Sequence, residues 1–150
     1  MRPLVFSCRF VLGILLATIA LGQTTDSRTS RDVLEKYKKD LEANPRSSLA
    51  HYRIAEILVQ QRNLQSAANE FREAVNGDLQ PAWTEAWAHI NLGMIFDVTV
   101  QRDRAINEYR QAQRIVARKK IEHLGRVLDQ AAKCLKSPCT WEDVTEMERP

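Results

Sequence analysis

The sequence predicts an all-α chain of stacked antiparallel helical hairpins closed by a C-terminal capping helix, and three observations predict it. Residues 50–74 and 88–112 follow one pattern 38 residues apart: Ala50-His51 returns as Ala88-His89, Ile54 as Leu92, Leu58 as Phe96, Ala67 as Ala105, Phe71 as Tyr109 and Ala74 as Ala112. A repeat period of roughly 20–50 residues marks units that cannot bury an apolar face alone and must stack on neighbours. Helix formers (Ala, Leu, Gln, Glu, Arg) dominate after residue 22, and the 150 residues include only 5 Gly and 5 Pro to interrupt them. Beyond that point no β-branched alternating run offers a strand.

The elements follow in order. Residues 1–22 have the layout of a secretory signal peptide: Arg2 and Arg9 start it, Phe10 to Leu21 is an apolar run, and Ala20-Leu21-Gly22 supplies small residues for cleavage. The run is short for a membrane anchor, which takes about 20 apolar residues. Export with cleavage near Gly22 is therefore expected, and membrane attachment only if the segment is retained. Cys8 precedes the apolar core, which argues against a lipoprotein. Cleavage removes Arg2 and Arg9, lowering Lys+Arg from 22 to 20 against 19 acidic residues and leaving a net charge of about +1. That balance provides no drive toward nucleic acid, which needs a concentrated basic footprint. The one basic cluster (Arg114, Arg118, Lys119, Lys120 and Arg126) spans the end of one helix and the start of the next, and reads as a solvated face.

Residues 23–30 are polar and short, a disordered lead. The spacing of Val33, Tyr37 and Leu41 predicts a helix from Arg31 to Ala43, which Asn44-Pro45 ends because the residue before proline leaves the helical region. Ser47 caps a second helix, Ser48 to Gln61, and Asn63 a third, Leu64 to Asn76, closed by Gly77 in the left-handed conformation. Pro81 opens a fourth helix, running to Val98 or Thr99, where its missing N–H is harmless. A fifth is expected over Arg102 to Arg118. The sixth, Lys120 to Lys136, carries Ile121, Leu124, Leu128, Ala131 and Leu135 on one face and charges on the other, as a terminal cap requires. Residues 137–150 remain as a tail.

These residues resemble the tetratricopeptide repeat, a helix–turn–helix unit with a Leu-Gly pair in its first helix and Ala, aromatic, Ala in its second. Leu92-Gly93, Phe96, Ala105, Tyr109 and Ala112 match in one unit; Ile54-Ala55, Leu58, Ala67, Phe71 and Ala74 match in the other. Tyr37, Leu41, Asn44 and Pro45 resemble the closing half of a preceding unit. The resemblance covers residues 31–118: a half repeat at 31–45, repeats at about 48–81 and 86–118, then a cap helix at 120–136. Three departures stand out. The usual first-helix tryptophan is His51 in one unit and His89 in the other. The usual turn glycine is Arg62 or Val100. Because a β-branched residue resists positive φ, the turn at Val100 is expected to be reshaped. Four extra residues lengthen the connection around Leu79 to Trp83.

No glycine-rich phosphate loop, nucleophile elbow or Ser/Cys–His pair is visible, so no catalytic residue and no cofactor are assigned and an enzyme is not expected. His51, His89 and His123 lack metal-ligand spacing and read as packing or surface residues. Cys134 and Cys139 are the two cysteines left after cleavage, an even count in an exported chain, and are expected to form a disulfide. Such a bond would contribute about 2 kcal/mol and pin Thr140 to Glu146 against the cap. Two free thiols, or a redox or metal pair, are the alternatives.

In the family it resembles, the first helix of each unit lines a concave groove. By the match, Leu49, Tyr52, Glu56, Val59 and Gln60 line it from one unit, and Trp87, Ile90, Met94, Asp97 and Val98 from the next, with Trp83 extending the stripe. The resemblance thus implies a non-catalytic scaffold that holds a protein or peptide partner in this groove, with Glu56 and Asp97 adding polar selection. Coverage of the stripe by Arg31 to Ala43 or by the polar lead is the competing expectation. A structural subunit of an envelope assembly, with self-association, is the rival function.

Overall fold

The computed structural model describes residues 30–119 and 124–146, and its described residues form seven helices with no strand. Helix α1 covers 30–43, α2 Ser48–Gln60, α3 Leu64–Asn76, α4 Trp83–Val98, α5 Arg102–Lys119, α6 Gly125–Lys136 and α7 Trp141–Glu146. The fold is all-α. The signal segment, the lead up to residue 29, Lys120, Ile121 and His123 lie outside the described residues. Among the described residues no helix is long and apolar enough to cross a membrane.

Two hairpins, α2/α3 and α4/α5, form the stack. Helix α4 is its centre, packing on α5, α3, α6, α2 and α7. The repeated small residues let backbones approach: Ala67, Ala74, Ala105 and Ala112 are fully buried, as are the aromatics Phe71 and Tyr109 that fill the opposing notches. At Gly93 a methyl group would come within 2.7 Å of Tyr109 Cδ1 and 2.8 Å of its Cζ. The first unit has Ala55 and the slimmer Phe71 at the equivalent positions, so the smaller partner faces the larger ring.

Caps match local chemistry. Ala50 N donates to Ser47 Oγ at 3.2 Å and Ser66 N to Asn63 Oδ1 at 3.3 Å, satisfying orphan donors at the starts of α2 and α3. Gly77, however, is not left-handed: its φ is −80°. Glycine is needed there for space, because a Cβ would meet Arg46 O and Ser48 Oγ at 2.5 Å. The positive φ falls instead on Leu79, at 56°. The connection after α3 is clasped to the α1–α2 turn: Ser48 N donates to Asp78 Oδ1 at 3.1 Å, Asn44 Nδ2 to Asp78 Oδ2 at 3.0 Å and Leu79 N to Ser48 Oγ at 2.8 Å. Donation from the Gln80 and Ser48 amides holds the Asp78 carboxyl below the usual carboxylate range.

Helix α4 starts at Trp83 after Ala82 rather than at Pro81; the Pro81 carbonyl instead accepts from Thr84 N and Oγ1. The turn at Val100 is not reshaped. Val100 adopts φ 60° and Arg62 φ 59°, with parallel closing bonds, Gln101 N to Phe96 O at 2.7 Å and Asn63 N to Leu58 O at 2.9 Å. The stacked hairpins impose the turn on the residue, and Val100 tolerates it at 91% exposure. Helix α6 begins at Gly125, not Lys120, and its buried stripe is Leu124, Val127, Ala131 and Cys134. Leu128 is exposed and Leu135 half-buried, so the face is rotated from the expected one.

Candidate functional site

The face lined by the first helices α2 and α4, together with α6, is where the expected site lies. Tyr52, Glu56, Val59, Trp87, Ile90, Met94 and Asp97 are all buried there. Leu49, Trp83 and Val98 are half-buried and Gln60 is exposed. Tyr52 meets Trp83 edge-on at 5.1 Å and Phe71 at 5.4 Å, and the Arg53 guanidinium sits 5.4 Å from the Trp83 ring. Asn91 Nδ2 donates to Tyr52 Oη at 3.2 Å and to Trp87 O at 2.9 Å, joining the first helices of the two units.

The cover over the second unit is the chain's own C-terminus: α6 and α7 both pack on α4. On helix α1, Leu34, Tyr37 and Leu41 are half-buried and no residue of 30–43 is fully buried. The supposed tail turns at Ser137-Pro138 and forms α7, where Val144 is buried and Trp141 lies 4.1 Å beneath the Arg62 guanidinium of the α2–α3 turn. Thr140 starts α7 in a reciprocal cap, with Thr140 N donating to Asp143 Oδ2 at 2.8 Å and Asp143 N to Thr140 Oγ1 at 3.4 Å. Lys133 on α6 pairs with Asp143, and this pair holds the Asp143 carboxyl below its usual range.

Asp97 is the polar centre of the face. Its side chain is fully buried, and its oxygens accept from Arg102 Nη1 (3.0 Å to each), Tyr109 Oη (2.8 Å) and Cys139 N (2.8 Å). Arg102 Nη2 continues to Leu135 O at 3.0 Å. One carboxylate thereby ties α4, α5 and the α6–α7 connection together. Burial, then the hydrogen bond to Asp97, pushes the Tyr109 phenol well above its ordinary pKa. Cys134 and Cys139 form a disulfide with Cα atoms 5.2 Å apart, and Gln130 Nε2 lies 3.3 Å from Cys134 Sγ and 4.0 Å from Met94 Sδ. The polar selection expected of Asp97 toward a partner is here directed at the chain itself.

His51 and His89 do sit at equivalent positions, and each makes the same contact. His51 Nδ1 is 2.7 Å from Glu70 Oε2 and His89 Nδ1 is 2.7 Å from Glu108 Oε2, bridging the two helices of each unit. Glu70 and Glu108 were legible as a pair, because the 38-residue offset maps one onto the other. The cap at Thr140-Trp141-Glu142-Asp143 was likewise a readable helix start. Part of the basic cluster borders a cleft of about 580 Å³ containing Glu85, His89, Arg114 and Arg118. Two of the cluster's cations are already opposed: Lys119 Nζ lies 2.5 Å from Glu85 Oε2, at ion-pair distance without hydrogen-bond geometry, and Arg118 Nη2 lies 3.5 Å from Oε1.

Among solved structures, the chain is similar to the crystal structure of MamA, a protein containing tetratricopeptide repeats. The TM-score is 0.51 at 23% identity, over 78% of this chain and 71% of that chain. At that identity the likeness is one of fold, a tetratricopeptide-like helical stack. No family model matches the chain, and no curated protein matches it.

Proposed function

We propose that this chain is a non-catalytic scaffold that receives a protein or peptide partner on the face formed by α2, α4 and α6. The observation that carries this is α7 itself. A six-residue helix, joined to α6 through residues 137–140, lies on that face through Trp141 and Val144. A surface that seats a short helix by an aromatic and a β-branched side chain three residues apart has the chemistry of helix-in-groove recognition. The proposed partner segment carries that same spacing and takes the place of α7. Trp87, Ile90 and Met94 form its apolar floor, and Tyr52, Glu56, Val59, Gln60, Leu49, Trp83 and Val98 continue the surface. Export fits the disulfide, since such bonds persist in oxidising compartments.

The test uses a fluorescein-labelled peptide of residues 138–147 bearing Cys139→Ser. Full-length Trp141→Ala/Val144→Ala protein, whose α7 is weakly seated, is expected to bind it, and wild type to bind it at least about tenfold more weakly. Equal binding, or none by either protein while circular dichroism shows both folded, overturns the proposal.

A second reading, a structural subunit that self-associates, is favoured by α1. Val33 is 38% exposed, and Leu34, Tyr37 and Leu41 are only half-buried. Light scattering of the mature protein separates the two, because a monomer at all accessible concentrations removes the assembly reading.

A further inference from the structure

On the other side of α4 from α6 and α7 lies a cleft of about 290 Å³ between α3 and the start of α5. It is lined by no acidic residue, yet two guanidiniums enter it, Arg72 from α3 and Arg104 from α5. Both stand on one ring: the Arg104 guanidinium carbon is 3.9 Å from the Phe96 centroid and that of Arg72 is 5.8 Å from it, so the two charges are no more than about 10 Å apart. Neither meets a carboxylate among the described residues. Arg72 Nη1 donates to Asn69 Oδ1 at 2.8 Å and Arg104 donates to Gln101. This sets them apart from Arg102 with Asp97, Arg53 with Glu56, Lys119 with Glu85 and Lys133 with Asp143.

The ring explains why two like charges converge. The negative face of Phe96 attracts both cations. A guanidinium beside an aromatic still presents N–H donors to an oxyanion, and its planar fork of donors matches a carboxylate. Leu64, Ala68 and Ile95 form the apolar wall beside the charged edge. An anion alone would leave that wall wet, whereas an acidic residue next to an aliphatic one would cover it.

We propose that this cleft is a second docking site, distinct from the face occupied by α7, and that it takes an acidic peptide segment: a Glu or Asp carboxylate between Arg72 and Arg104, with an adjacent aliphatic side chain on the wall. Charge complementarity selects the occupant. The site needs no displacement of α7, so its fate under test is separate from that of the scaffold reading above.

The experiment titrates full-length ¹⁵N-labelled protein with acetyl-Glu-Leu-Glu-amide and, in parallel, with acetyl-Gln-Leu-Gln-amide, following backbone amides and arginine side-chain Nε–H signals. Saturable shifts are expected at Arg72, Arg104, Gln65, Thr99 and Gln101 with the Glu peptide, and at least about tenfold weaker binding in Arg72→Gln/Arg104→Gln. A charge-matched Arg110→Gln/Arg114→Gln protein is expected to bind like wild type. Both double variants replace surface side chains, and their amide spectra report that they remain folded. Absence of saturable shifts, shifts centred elsewhere, equal response to the Gln peptide, or equal loss in both double variants overturns the proposal. The last outcome would mean that only net charge is felt.

Discussion

Replacing Asp97 by alanine should unlatch the C-terminus before it unfolds the stack. The wild-type carboxylate is fully buried and accepts from three donor groups on two segments: Arg102 and Tyr109 on α5, and Cys139 on the α6–α7 connection. Alanine leaves Arg102, whose side chain is 29% exposed, with only Leu135 O, and strands the Tyr109 hydroxyl and the Cys139 amide in an apolar surrounding. Removing one partner of a buried pair costs about 3–5 kcal/mol, because the remaining charge stays desolvated. Against a typical domain stability of about 5–15 kcal/mol, that is a large share. For a chain of this size it corresponds to a fall in Tm of about 10–20 °C. Asp97→Asn should cost less, about 1–3 kcal/mol: the amide keeps the volume and one acceptor, but turns an N–H toward a donor in either orientation. Urea denaturation followed by circular dichroism measures the loss, and hydrogen exchange locates it. Amides of α7 should lose protection in Asp97→Ala while those of α2 and α3 keep theirs. A loss below about 1 kcal/mol, or uniform exchange across all helices, would refute the argument that this one carboxylate holds the C-terminal cover.

Three further outcomes follow from the same packing. Because burial and Asp97 make the folded Tyr109 phenol hold its proton more tightly than an unfolded one, its contribution is complete below the unfolded value near pH 10 and declines as pH rises beyond it; Tyr109→Phe should flatten the alkaline slope of stability against pH. Gly93→Ala places a methyl within 2.8 Å of three Tyr109 ring atoms while the hydroxyl is fixed by Asp97. It should destabilise by about 1–3 kcal/mol, recovered in part by Tyr109→Phe in a double-mutant cycle. Val100→Gly should stabilise by about 0.5–1 kcal/mol in urea melts, since left-handed backbone costs an L-residue about 1–2 kcal/mol and glycine returns part of that as chain entropy. Arg62→Gly, at the same φ, should gain nothing comparable, because Arg62 also covers the Trp141 ring.

The repeat itself was legible because it rests on local rules. Small residues at 67, 74, 105 and 112, aromatics at 71 and 109, and caps at Ser47 and Asn63 each follow from backbone geometry within one hairpin, and α1 to α5 lie within two residues of their expected positions. The expected errors fall where a distant segment decides. Gly77 reads as a left-handed cap, yet a neighbouring turn, through Arg46 and Ser48, demands only that it have no side chain. Val100 reads as incompatible with a tight turn, yet two stacked hairpins hold it there.

The candidate site divides along the same line. Periodicity marked Trp87, Ile90 and Met94 as one stripe of α4, and charge arithmetic argued against nucleic acid, both from the residues alone; Asp97 joined that face only through the family resemblance. What covers that face was decided only in three dimensions: α6 rotates so that Val127 and Cys134 point inward, the chain reverses at Ser137-Pro138, and the Cys139 amide reaches Asp97 42 residues away. A helix's own sequence records which side must leave water, because that side is set every 3.6 residues along it. It does not record which partner removes the water, since that depends on the free energy of contacts with a segment far along the chain.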